Sequence, residues 1–422
     1  MKHAIPVHEL GVMGQPMADA VQACVHCGFC LPTCPTYQVM GEEMDSPRGR
    51  IVLMKQVLEG TLPLHEALPH VDQCLGCLAC ETACPSGVGY RDLISPFRAY
   101  AEAKRDRPLS EMFRRWMLLQ VLPHPDRFRF FSKVGILAKP FRKLLPKPMR
   151  AMLELLPAKL PERTVLNDHY KPHGKPRARV ALLAGCAQQV LAPEINEATM
   201  DVLLRNGVEV FVPRQQGCCG ALGWHVGEAA HAQRCARENL WAFPDDVDAI
   251  LTNAAGCGSC LHEYPLILRG TDGEEQAQRF AGKVKDVAQF LDELGITTPQ
   301  GFDREVVVAL QDACHLLHGQ HVRDAPRRLL AQIPNLKVCE ITDADICCGS
   351  AGTYNMDHPE IAAELGKRKA EQLAATGAEI VLSGNIGCIT QLNAHLPMVK
   401  PDMKAMHFVV LLRAAHDGRL PV

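Results

Sequence analysis

Short β-branched runs alternate with longer amphipathic segments through the C-terminal half of the chain. Val180–Leu183, Ile250–Thr252, Val306–Leu310 and Ile380–Ser383 are apolar over a few residues and bounded by glycine or polar positions. Between them, Ala192–Asn206 and Pro359–Thr376 carry apolar residues at helical spacing. Continuous apolar strands separated by helices predict βαβ units with a parallel sheet. Nearer the N-terminus, Ile51–Glu59 has a helical pattern closed by Gly60, so short helices are expected there. From Arg127 to Arg150 the pattern changes. Phe128, Phe130, Phe131, Leu137, Phe141, Leu144 and Leu145 interleave with Arg127, Arg129, Lys133, Lys139, Arg142, Lys143, Lys147 and Arg150, and no acid interrupts them. Such a basic amphipathic stretch suits an anionic membrane surface, a partner subunit, or a linker helix packed on its own chain.

The strand and helix alternation is an internal repeat that carries cysteines in register. Cys186 follows the first strand of one copy and Cys314 the first strand of the other. Gly217-Cys218-Cys219-Gly220 matches Ile346-Cys347-Cys348-Gly349, and Cys257 matches Cys388. Ligands in open α/β sheets gather at the C-terminal ends of strands, so distant thiols are delivered to one place in each module. A Cys-Cys-Gly step presents two sulfurs to two irons of a cluster better than to one small ion, with Gly220 and Gly349 taking up the backbone strain. The candidate centres are Cys186, Cys218, Cys219, Cys257 and Cys260 in the first module, and the weaker set Cys314, Cys347, Cys348 and Cys388 in the second. Either would hold an iron–sulfur centre or zinc; the bland alternative is buried cysteines acting as small hydrophobes.

Eight further cysteines near the N-terminus repeat one spacing: Cys24, Cys27, Cys30 and Cys34 before Pro35, then Cys74, Cys77, Cys80 and Cys84 before Pro85. This is the bacterial ferredoxin run, in which the last cysteine of each run ligates the other cluster. Two [4Fe-4S] clusters follow, one on Cys24, Cys27, Cys30 and Cys84, the other on Cys34, Cys74, Cys77 and Cys80. Zinc needs four ligands in all, and the third and fourth cysteines of each run are surplus to it. Arg48 and Arg50 lie near one cluster, where they read as ordinary surface arginines or, alternatively, as residues that tune its potential. Cys235, in a helix, and Cys339, in a strand, are left as buried structural thiols. His26, His225, His315 and His318 lie near cysteines and read as ordinary polar residues.

The chain has 422 residues, 47% of them hydrophobic and 5% aromatic, enough apolar material for two to four domains. The expected class is α/β. A mainly helical two-[4Fe-4S] ferredoxin-type domain (1–105) and a basic, proline-rich helical linker (106–175) precede two repeated cysteine-rich modules (176–300 and 301–422). An odd count of 19 cysteines without a secretory signal argues against disulfides and for a reducing cytoplasm. A net charge of −2 gives no field for nucleic acid. No apolar run approaches the roughly 18 residues of a spanning helix, so membrane contact is expected to be peripheral, on the cytoplasmic face of the inner membrane. Neither a dinucleotide fingerprint nor a P-loop is present.

The spacing Cys186-x31-Cys218-Cys219-x37-Cys257-x2-Cys260 resembles the cysteine-rich motif of heterodisulfide reductase subunits, and the second module resembles a copy with Gln391 in place of the last cysteine. Two ferredoxin runs followed by two such modules resemble the iron–sulfur subunits of glycolate oxidase, anaerobic glycerol-3-phosphate dehydrogenase and lactate utilisation systems. Cys24–Tyr37, Asp45–Ile51, Lys55–Gly60 and Cys347–Tyr354 are most similar to the glycolate oxidase group. The resemblance implies partner subunits that carry FAD and oxidise glycolate to glyoxylate. This chain then carries electrons toward a membrane quinone and supplies no catalytic residue. It leaves open a related D-lactate or glycerol-3-phosphate complex, or a heterodisulfide-reductase-like enzyme working at the module cysteines.

Overall fold

The apolar runs pair as two similar sheets. The computed structural model describes residues 3–420. The first sheet holds β1 (His169–Tyr170), β2 (Ala178–Leu183), β3 (Val208–Phe211), β4 (Ala249–Thr252) and β5 (Val284–Asp286), in the order β1-β3-β2-β4-β5. The second holds β6 (Val306–Gln311), β7 (Leu336–Cys339), β8 (Ile380–Ser383) and β9 (Lys404–His407), in the order β7-β6-β8-β9. In each sheet the first long strand, β2 or β6, lies between the two that follow it, and these pairings are parallel. The exception is β1, inside the expected linker, which pairs antiparallel with β3 and caps the edge. A two-residue strand has no periodic signature, which is why the sequence pattern missed it.

Alternate residues of a strand point to opposite faces. Val180 and Leu182 face a core that continues through Val202 and Leu203 into Val308, Leu382 and Phe408 of the second sheet, so the two modules share one interior. Ala181 and Leu183 face the other way, onto Trp224, Tyr264 and the segment carrying Cys218 and Cys219. Burying a leucine such as Leu182 fully stabilises by about 2 kcal/mol.

The N-terminal region packs helices Gly14–Ala23, Pro47–Leu58, Leu64–Asp72 and Arg91–Glu102 around Met17, Met54, Leu93 and Phe97. Ser46 caps the second of these, its Oγ accepting from the Gly49 amide at 3.0 Å with Pro47 in the first turn. The intervening basic region forms helices Leu109–Val121, Pro125–Ala138 and Lys147–Leu155 and a 3₁₀ segment Lys139–Leu144. Phe128 packs inward on Leu160 and Val190. Among the described residues no helix is long and apolar enough to cross a membrane.

Asp286 ends β5 and caps helix Val287–Leu294, one carboxyl oxygen accepting from the Ala288 amide and the other buried without a partner. Burial pushes its pKa up to about 7. The folded chain therefore binds a proton that the unfolded chain has released. That contribution is complete below the ordinary carboxylate pKa and is lost as pH rises through about 7. Asp286→Asn keeps a cap that cannot ionise. Thermal melts at about pH 5 and pH 8 are expected to show a smaller fall in midpoint for the variant than for the native chain.

Candidate functional site

The two ferredoxin runs use the same backbone device. In each, the third and fifth residues are left-handed: His26 (φ 57°) and Gly28 (φ 90°) in the first, Gly76 (φ 66°) and Leu78 (φ 63°) in the second. These turns bring three cysteines of a run onto one side of a tight loop. In the first, Cys24, Cys27 and Cys30 line a cavity that Cys84 closes from the other run, with Pro47, Arg48 and Tyr90 beside it. Burial raises the Cys24 thiol and pushes Cys30 up to about 11. Arg48 bonds the His26 carbonyl at 3.1 Å and pairs with Glu43 at 2.7 Å.

A second cavity is lined by Cys74, Cys77 and Cys80 of the second run and Cys34 of the first, together with Thr36, Arg50 and Tyr90. Cys80 lies on the boundary of both cavities. Polar groups here are aimed at sulfur. The Gly76 amide is 3.4 Å and the Tyr90 hydroxyl 3.8 Å from Cys74 Sγ; Thr36 Oγ1 is 3.2 Å and Arg50 Nη1 3.8 Å from Cys34 Sγ. Burial alone would raise the Cys74 thiol, but Arg50, Arg98, the Gly76 amide and Tyr90 hold it below its ordinary value. Cys77 and Cys80 go the other way, raised by burial. Four convergent thiols, with Arg50 directed at the Cys34 sulfur and the Gly76 amide and Tyr90 hydroxyl at that of Cys74, fit thiolate ligation of an iron–sulfur cube. Among the described residues, no three His, Cys, Asp or Glu side chains are gathered as a site for a single metal ion.

Arg48 and Arg50 were expected beside one cluster position, and the structure divides them. They are two apart on helix Pro47–Leu58, and residues so spaced do not share a helix face. Arg48 reaches the first cavity and Arg50 the second.

The module cysteines also converge. Cys186 and Cys218 sulfurs are 3.6 Å apart, and Cys219 is in hydrogen-bonding reach of Cys218, Cys257 and Cys260. In the second module Cys347 reaches Cys314 and Cys348, and Cys348 reaches Cys388. Gly220 (φ 89°) and Gly349 (φ 86°) are left-handed after each Cys-Cys pair. Gln391 accepts from Asn355 at 2.6 Å and donates to the Ala362 carbonyl at 2.9 Å, so it is locked away from ligation. The modules differ in their surroundings. Cys186 and Cys218 lie in the wall of an open polar cleft of about 510 Å³, with Arg127, Arg234, His124, His231 and Glu238 around it. Cys314 and Cys347 pack against Leu75 and Cys77 of the second run. Tyr354 donates to the Gln73 carbonyl at 3.0 Å and Thr82 meets His318 at 2.9 Å across the same junction.

Cys235 is buried, as expected, and also borders the cleft, where burial pushes its thiol up to about 12. Cys339 is only half-buried, against expectation, because β7 is an edge strand. His225 and His315 meet with tilted rings 5.3 Å apart between centres, each held neutral by burial, at about 3 and about 4. Residues that spacing alone did not single out are Thr36, Tyr90 and Arg98 around Cys34 and Cys74, and buried Lys369 beside Cys347 and Cys348. A lysine at an otherwise apolar helical position, Lys369 between Leu365 and Leu373, is the one signal that was available.

Residues 20–88 match the 4Fe-4S dicluster domain, and residues 180–262 and 308–393 each match the Cysteine-rich domain. The glycolate oxidase iron-sulfur subunit of Escherichia coli (strain K12) is 38% identical over 386 residues, 89% of this chain and 90% of that one. The probable glycolate oxidase iron-sulfur subunit of Bacillus subtilis (strain 168) is 36% identical over 421 residues, 93% of each. Lactate utilization protein A of Oceanobacillus iheyensis is 29% identical over 57% of this chain and 98% of its own length. With a dicluster region, two cysteine-rich modules and relatives matched over nearly their whole length, the chain belongs to the family of glycolate oxidase iron–sulfur subunits.

Proposed function

We propose that the chain relays single electrons from FAD-bearing partner subunits, which oxidise glycolate to glyoxylate, toward a membrane-side quinone. The observation that carries this reading is the pair of cavities, each bringing three cysteines of one run together with the last of the other, with Cys80 bordering both. Cys24, Cys27, Cys30 and Cys84 would hold one [4Fe-4S] cluster, and Cys34, Cys74, Cys77 and Cys80 the second. When bound, such clusters supply one-electron transfer with no bond made or broken. The residues around them position the sulfurs, shield them from water and donate hydrogen bonds to them. Cys314, Cys347, Cys348 and Cys388, packed on Cys77, offer the nearest continuation of the route, and Cys186, Cys218, Cys219, Cys257 and Cys260 a further centre.

Electron paramagnetic resonance on the complex purified anaerobically tests the relay. Iron–sulfur signals are expected on adding glycolate. Signals with dithionite but not with glycolate would keep the clusters and point to D-lactate or glycerol 3-phosphate on the partner instead. The cleft at Cys186 and Cys218 favours a second reading, in which the first module itself reduces a small polar disulfide, as heterodisulfide reductases do. Cys186→Ser separates the two, since a relay through the N-terminal cavities still shows glycolate-dependent signals.

Peripheral membrane contact is supported by the basic region. Phe130, Val134, Leu137, Phe141 and Leu144 recur at helical spacing, and Phe130 (62%), Leu137 (77%), Phe141 (64%) and Leu144 (83%) stay exposed while Phe128 packs inward. An outward apolar stripe in a sequence with eight Lys and Arg and no acid from Arg127 to Arg150 suits an anionic lipid interface. Co-sedimentation with phosphatidylglycerol vesicles is expected for the native chain. It should weaken at least about tenfold when Phe130, Leu137 and Phe141 are all changed to serine.

A further inference from the structure

Arg50 is the largest charged side chain to be almost wholly removed from solvent, at 1% exposure. Its guanidinium donates from Nε to the His70 carbonyl at 2.7 Å and from Nη2 to Thr36 Oγ1 at 3.0 Å, and Nη1 lies 3.8 Å from Cys34 Sγ. Asp45 is the obvious counter-ion, but its Oδ1 is 3.6 Å from Nη2 and is already bonded to His70 Nδ1 at 2.9 Å. Asp45 is thus a long, shared counter-ion, and the Nη1 end of the guanidinium borders the second cavity. Arg98 adds a second guanidinium to that side, bonded to the carbonyls of Val71 and Cys74. On the first cavity Arg48 is partly exposed and fully paired with Glu43.

Taking up an electron adds negative charge to a cluster, and water stabilises that charge better than a protein interior does. The first cavity has exposed Cys27 at its rim, whereas Cys34 and Cys77 of the second are buried. Burial by itself would thus make the second cluster the harder to reduce, and electrons would stall at the surface one. We infer that Arg50 is the residue that offsets this burial, raising the potential of the cluster held by Cys34, Cys74, Cys77 and Cys80 so that it accepts from the cluster held by Cys24, Cys27, Cys30 and Cys84. One electron passes, the donor returning to its oxidised state as the acceptor is reduced, with no proton moved. The electron originates at the flavin partner, and the inference rests on the two-cluster reading above.

The test is a redox titration of the anaerobically purified, iron-loaded complex followed by electron paramagnetic resonance. Two resolved cubane signals, one of them missing in Cys77→Ser, establish the reading on which the inference rests and identify the second cluster. Arg50→Gln is then expected to lower the midpoint of that cluster alone, shifting the transfer equilibrium at least tenfold, about 59 mV for a one-electron couple. Arg50→Lys is expected to retain most of the native value, and Arg48→Gln to leave the second cluster in place. If Arg50→Gln loses iron, Asp45→Asn/Arg50→Gln is compared with Asp45→Asn, from which it differs by the Arg50 charge alone, and is expected to have the lower midpoint. A midpoint in Arg50→Gln equal to native, or in the double variant equal to that of Asp45→Asn, or both clusters moving together, would overturn the inference.

Discussion

Cys77→Ser is expected to leave the anaerobically purified chain about four iron atoms short, one cube's content. Glycolate-driven reduction of any centre beyond the second cavity should be lost with it. Cys77 is buried between Leu75 and Cys314, and its neighbours in the cavity, Cys74, Cys80 and Cys34, come from both runs. A serine hydroxyl does not replace the thiolate, and the three sulfurs left behind cannot close the set. Iron and acid-labile sulfide per chain is the direct measurement. Cys339→Ser, on an edge strand away from the cavities, should lose no iron. Iron unchanged in Cys77→Ser would remove that residue from the ligand set.

Gly349→Ala should be a strongly damaging methyl addition at the Cys347-Cys348 step of the second module. Its φ is +86°, and a Cβ there would lie 2.7 Å from the Ala362 carbonyl oxygen and 3.0 Å from Leu365 Cβ. Neither neighbour is the free end of a flexible side chain, so the Cys347-Cys348 segment must move. Left-handed strain and this displacement together cost about 2–3 kcal/mol, lowering the thermal midpoint by roughly 5–10 °C. Gly377 provides the comparison, with φ +77° and nothing within 4 Å. Gly377→Ala carries the backbone term without the collision, about 1 kcal/mol, and should melt closer to the native chain.

The features legible in the sequence were those carried by local spacing. The runs beginning at Cys24 and Cys74, the paired Cys218-Cys219 and Cys347-Cys348 steps with their left-handed glycines, and the strands from Val180 and Val306 all announce themselves within a few residues. The loss of a fifth ligand at Gln391 was legible too, although the hydrogen bonds that hold that amide were not. The remainder depended on long-range packing. Nothing near Cys77 in sequence says that Cys314 lies beside it, and the short edge strand β1 takes its register only from β3. Arg48 and Arg50 misled because adjacency in sequence was taken for adjacency in space, whereas a helix turns the second away from the first.

The junction between the second ferredoxin run and the second module constrains how the protein is made. Cys77, Cys314 and Cys347 are all buried where these regions meet, and Tyr354, Arg91 and Thr82 bond across the seam. Close-packed side chains do not admit a preformed inorganic cube from a scaffold protein. On the proposed ligand set, a cube reaching Cys34, Cys74, Cys77 and Cys80 before the C-terminal half docks would meet sulfurs still open to a donor. That half follows the cysteine runs in the chain, so translation leaves an interval in which the N-terminal sulfurs are uncovered.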